Sequence, residues 1–160
     1  MQSLKSNSQT GTFVRRLMPL VAGDLLVILS FVWIGRSSHS LSLNDIGASL
    51  YTALPFILGW VLVMPWFGLY KIEVSQNWRK LVPRLLLGWL IAGPLALVLR
   101  VTLLGRPVLT GILPTFAAIA LSYIGLVALL WRLGYAWQRN RSQRRDRRLE
   151  QSADMGQARG

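Results

Sequence analysis

Apolar and charged residues fall along this chain in long blocks. Residues 17–35, 50–70, 85–104 and 112–131 form four stretches that are apolar almost throughout, each about twenty residues long, as a membrane-crossing helix requires. At roughly 1.5 Å of rise per residue, a helix of that length reaches about 30 Å, the thickness of a hydrocarbon core. A water-soluble helix would show a polar stripe recurring every 3.6 residues or so. None of the four has one: residues 85–99 carry no charge, and residues 21–35 carry only Asp24. Strict alternation is absent too, and lipid admits only helices and closed barrels. The pattern predicts an all-α fold, a four-transmembrane-helix bundle over residues 17–133. A polar, basic segment precedes it at residues 1–16, and a basic, partly disordered tail follows at residues 134–160.

The first stretch differs from a cleaved signal peptide, although Arg15 and Arg16 precede it. It is too long, contains Asp24, and lacks a small-x-small site near its end. The absence of cysteine excludes disulfides and thiolate chemistry.

Charge placement sets the expected orientation. Lys and Arg number 18 against 6 Asp and Glu, and basic residues in short loops mark the cytoplasmic side. Lys5, Arg15 and Arg16 lie before the first stretch, and Lys71, Arg79, Lys80 and Arg84 lie between the second and third. The tail holds Arg132, Arg139, Arg141, Arg144, Arg145, Arg147, Arg148 and Arg159. With four crossings all of these share one face, leaving Arg36, Arg100 and Arg106 for the other, so both termini are expected in the cytoplasm. Trp33, Trp66, Trp89, Trp131 and Trp137 fall near stretch ends, where amphipathic rings settle, and Trp78 is expected among the inner headgroups. Trp60 falls in mid-membrane and needs a partner for its N–H. The run QRNRSQRRDRR from Gln138 to Arg148 fits anionic lipid headgroups at the cytoplasmic surface, each basic residue contributing about 1 kcal/mol. Nucleic acid is not the expected partner. The segments from Met1 to Thr12 and from Gln151 onward are expected to be disordered.

Helices in lipid associate through small residues. Gly88, Ala92 and Ala96 make one such stripe and Ala118, Ser122 and Gly125 another, expected to face each other, the second helix, or a second copy of the chain. Pro55, Pro65 and Pro94 are expected to kink the second and third helices. Leu58-Gly59-Trp60 with Pro65 is echoed by Leu87-Gly88-Trp89 with Pro94, a weak sign of an inverted pair.

Two charges lie inside the stretches. Asp24 sits about 10 Å deep from the cytoplasmic side and Arg100 about 22 Å, so about 12 Å of depth separates them. A direct ion pair is therefore strained. Arg100 is expected to snorkel outward, and Asp24 to accept hydrogen bonds from Trp60, Tyr123 or Ser122. An acidic group at that depth costs about 2.5–3.5 kcal/mol, which asks for a partner or a function. At the outer end Arg36, His39, Arg100 and Arg106 converge with Asp45, a candidate polar site for a phosphate, lipid headgroup or carboxylate. His39 can also titrate near neutral pH. The alternative is that the arginines anchor helix ends and His39 is a solvated loop residue.

Asp24, the run Phe31-Val32-Trp33-Ile34-Gly35-Arg36-Ser37-Ser38-His39, Pro55-Phe56, Gly59-Trp60, Arg100, residues 111–116 and Trp131-Arg132 together resemble the prokaryotic integral membrane family known as domain of unknown function 3054. The resemblance covers residues 17–133, and its most specific part is the Gly-Arg-x-Ser-His ending of the first helix. It implies a four-helix membrane domain in the inner (plasma) membrane of a prokaryote, with a photosynthetic membrane as an alternative, and it implies no activity. Its characteristic polar residues correspond to Asp24, Arg36, His39, Arg100 and the pair Trp131-Arg132. The chain departs from it in the long basic tail and in Ile112-Leu113.

One histidine, no cysteine and few acids supply neither a catalytic residue set nor a metal set, and no cofactor is implied. The favoured expectation is a small membrane module that binds a lipid, a pigment or a larger membrane complex. The alternative is an oligomeric transporter or channel for a small solute or ion, using Asp24, which as four short helices would need at least a homodimer. A membrane enzyme with His39 as base is the weakest of the three.

Overall fold

A computed structural model describes residues 2–39 and 44–157. Met1 and Arg159, placed above in an unordered end and among the cytoplasmic basic residues, lie outside them. The described residues form six helices and no strand: α1 (Gln2–Ser38), α2 (Ile46–Val63), α3 (Ile72–Ser75), α4 (Trp78–Leu103), α5 (Val108–Gly111) and α6 (Pro114–Gln157). Four segments are long and apolar enough to cross a membrane: Leu17–Ser38, Ile46–Val63, Trp78–Leu103 and Pro114–Arg145.

Their limits differ from the expected ones for local reasons. Asp45 caps α2, its Oδ1 accepting from the Ala48 N–H at 2.9 Å, so the helix begins before residue 50. It ends at Val63 rather than 70: Pro65, expected to kink it, has no N–H to continue the ladder, and Gly68 turns the chain with φ 65°. Pro55 and Pro94 are carried inside α2 and α4, which continue through them. The ends expected to be disordered extend α1 and α6 instead, to Gln2 and Gln157. Elongating an existing helix needs no new nucleus, and the Gln, Arg and Ala of the tail are good helix formers.

The long helices form an antiparallel ring in the order α1, α2, α4, α6 and back to α1. The tightest pair is α2 with α4. Gly59 lies against Ala92 and Ala96, while Gly88 lies against Met64 and Phe67, so the Gly88–Ala92–Ala96 stripe faces the second helix, as small residues that let backbones approach should. The Trp60 and Trp89 rings stand 5.7 Å apart between these contacts. The Gly-Trp echo is therefore a reciprocal contact, limited to that patch because Pro65 ends its helix and Pro94 does not. On α6 the packing face is Ala120, Ile124 and Ala128, all fully buried. Ala118 and Ser122 of the expected second stripe point outward instead. Gly125 alone of that stripe makes a close contact, with the Trp89 ring, whose Nε1 donates to the Leu121 carbonyl at 2.9 Å. Trp89 is thus a core residue rather than an interfacial one. Trp33, Trp66 and Trp78 are exposed near helix ends, and Trp137 is exposed part-way along α6.

Between α2 and α4 the chain folds back against the helices. Met64 and Leu69 are fully buried, and α3 rests on α6, where Asn140 Nδ2 donates to the Gln76 carbonyl at 3.1 Å.

Candidate functional site

Polar groups gather at two places, one toward each end of the ring. Toward the Tyr70 end, Asp24 of α1 meets Arg132 of α6. Arg132 Nε donates to Asp24 Oδ1 at 2.9 Å, and Nη2 donates to Oδ2. This is the two-pronged match a guanidinium makes with a carboxylate. Arg132 Nη1 donates to the Leu69 carbonyl at 2.9 Å, while Trp60 Nε1 and the Tyr70 hydroxyl each donate to Asp24 Oδ2 at 3.1 Å. Asp24 is 2% exposed and Arg132 1%. Two charges can be held in an apolar interior only when paired and hydrogen-bonded, and four separate stretches of chain supply the partners.

Trp60 is the donor the sequence predicts. The other two expected donors do not reach Asp24: the Tyr123 hydroxyl lies 3.2 Å from Ser30 Oγ, and Ser122 is exposed. A count of apolar residues ends the run at Trp131 and so places Arg132 at the cytoplasmic border. The run in fact resumes as Leu133-Gly134-Tyr135-Ala136-Trp137, so a lone Arg interrupting a longer apolar helix is the signal that finds it. Trp131 packs its indole into the space left by Gly23.

Tyr70 lies between the second and third apolar helices. Its phenol is pushed up to about 12, first by burial and then by the negative charge of Asp24, against the opposing pull of Arg132. It therefore donates as a neutral hydroxyl at any physiological pH. A folded-state value above the ordinary one, about 10, means the folded chain keeps a proton the unfolded chain has lost. Tyr70's stabilising contribution is thus complete below pH 10 and disappears as pH rises toward 12. Tyrosinate absorbance during an alkaline titration should show a last step that is missing in Tyr70→Phe; identical titrations would contradict this environment.

At the other end, α1 finishes and α6 begins around a cavity of about 520 Å³ lined by Arg36, His39 and Arg100 with Phe31, Ile34, Thr52, Leu113, Phe116, Ile119 and Tyr123. Arg36 and Arg100 occupy the last turns of α1 and α4, where a cation also complements the helix dipole. The Arg100 guanidinium lies 4.4 Å from the Phe116 ring centroid, and no carboxylate among the described residues pairs with it. Three of the four expected site residues are thus brought together. Arg106 does not line this cavity but stands beside it, in a smaller one of about 70 Å³ that also contains Arg100, Leu113 and Phe116, after the turn at Gly105 (φ 64°). Asp45 is occupied as the α2 cap. Among the described residues no three His, Cys, Asp or Glu side chains gather as a metal set.

No curated protein and no solved structure matches the chain. A family model described as protein of unknown function (DUF3054) matches residues 21–135, a segment that contains both the Asp24–Arg132 pair and the whole lining of the larger cavity. The chain belongs to that family.

Proposed function

We propose that this protein is a binding module of a prokaryotic cell membrane, a four-helix bundle with both termini in the cytoplasm, which holds an acidic ligand in the cavity beside His39. The observation that carries this reading is Arg100, a charge within an apolar helix that faces a cavity with Arg36 and His39 and lies over the Phe116 ring, with no carboxylate paired to it among the described residues. A cation kept in such surroundings without a carboxylate is complementary to an anion. The volume, about 520 Å³, falls in the range of small-molecule sites, about 300–1,000 Å³. The topology rests on the positive residues crowded beside the Tyr70 end of the ring, where the same residues suit anionic headgroups.

The alternative of an oligomeric transporter or channel places its proton or cation on Asp24. Both oxygens of that carboxylate are engaged, by Arg132, Trp60 and Tyr70, so the binding reading has the stronger support.

The purified full chain should bind at least one acidic probe, inorganic phosphate or an acidic lipid, and Arg100→Gln should weaken that binding at least tenfold, since a hydrogen bond to a charged group contributes about 1.5–3 kcal/mol. Binding indifferent to Arg100 would refute the site. A reporter fused after Gly160 should be active only in the cytoplasm.

A further inference from the structure

Resting on the reading of the cavity as an acid-binding site, we propose that its ligand is an anionic membrane lipid, seated with its head at Arg36, His39 and Arg100 and its chain in the cleft between α1 and α6, and that it enters sideways from the bilayer. Three observations converge on this. Below the basic residues the walls are hydrocarbon and aromatic, including Phe31, Phe116 and Ile119. A water-soluble anion has no use for such a wall, whereas each buried methylene of an acyl chain contributes about 0.8 kcal/mol. The cleft has a lateral mouth, because Ile34, Leu113 and Ile119 line the cavity yet are 47%, 59% and 63% exposed. They therefore stand on the outward face of the ring, and Ile34 and Ile119 lie within the segments long and apolar enough to cross a membrane. The floor is closed: Ser30 and Tyr123 are joined across α1 and α6 at 3.2 Å, and about two turns further Gly23 admits the Trp131 ring so that the two helices touch. A chain lying in this cleft runs along the helices, as an acyl chain runs in a leaflet, with its acid at the helix ends.

The test uses the full chain in nanodiscs of phosphatidylcholine containing a minor fraction of phosphatidylglycerol, transferred to mild detergent and weighed intact with whatever lipid it retains. Phosphatidylglycerol should be retained at least tenfold over phosphatidylcholine. Arg100→Gln should abolish the preference, and Arg100→Lys, which keeps the charge, should preserve it. Ile119→Trp fills the mouth at an exposed position without altering charge and should also abolish retention. Inorganic phosphate should bind weakly or not at all. Retention of phosphatidylglycerol that survives Ile119→Trp, or survives Arg100→Gln through the basic tail alone, overturns the proposal. If inorganic phosphate binds through Arg100 while the two lipids are retained alike, the lipid inference falls and the acid-binding reading stands. If no probe depends on Arg100, both fall.

Discussion

Asp24→Asn should be the most damaging single substitution in the membrane domain. It leaves Arg132, 1% exposed, facing a neutral amide, and removing one partner of a buried pair costs about 3–5 kcal/mol because the remaining charge is uncompensated. Thermal unfolding in mild detergent, followed by circular dichroism, should show a lower midpoint or no folded protein at all. Arg132→Met alone should be comparably harmful, since Asp24 would keep only Trp60 and Tyr70 as donors. Asp24→Leu combined with Arg132→Met should recover much of the loss, because an apolar pair of similar volume often replaces a buried ion pair without penalty. If each single substitution left the midpoint unchanged, the pair would not hold α1 to α6.

Gly59→Leu should have the next largest effect. A Cβ at that position would lie 2.9 Å from the Ala92 carbonyl oxygen and 3.1 Å from the Ala96 Cβ, and a backbone oxygen cannot swing aside as the end of a flexible side chain can. Either α2 and α4 separate, or the helices deform. Overpacking of this kind costs about 1–3 kcal/mol, and the parting should also change the fluorescence of Trp60 and Trp89, whose rings lie 5.7 Å apart beside the contact. Gly134 is a suitable control: nothing lies within 4 Å of a Cβ built there, so Gly134→Ala should be neutral or slightly stabilising, as alanine is in a helix interior. Equal midpoints for Gly59→Leu and Gly134→Ala would show that the close approach of α2 and α4 is not needed.

Membrane helices are readable in this sequence because lipid imposes a coarse requirement, about twenty apolar residues without interruption, which four stretches meet. Their ends are less readable. Asp45 starts α2 early through a side-chain cap and Pro65 stops it early, and both are local effects that a hydropathy count passes over. Asp24 stands out by depth alone, and Trp60 as its donor follows from an indole in mid-membrane. Arg132 is marked by the family resemblance but not by physical pattern, because counting basic residues assigns any arginine beside an apolar run to the border, and only the apolar residues after it correct that. Tyr70 and the Leu69 carbonyl are less legible still. They reach Asp24 through an irregular segment whose path depends on Gly68, and periodicity carries no information about such a path. The cluster at the opposite end is partly legible: Arg36, His39 and Arg100 sit at helix ends that antiparallel packing must bring together, whereas Arg106 lies beyond the turn at Gly105.

The Asp24–Arg132 pair has a consequence for biogenesis. Its members are 108 residues apart in the chain, and translation proceeds at about 5–20 residues per second. The acid of α1 therefore leaves the ribosome roughly 5–20 seconds before the guanidinium that will neutralise it. Throughout that interval the first helix carries a carboxyl group whose insertion into lipid costs about 2.5–3.5 kcal/mol. The Leu, Ile, Val and Phe residues around it each favour insertion by about 0.3–0.6 kcal/mol and together offset that cost, so α1 can enter the bilayer ahead of α6, and the arrival of Arg132 then relieves the buried acid and draws the two helices together.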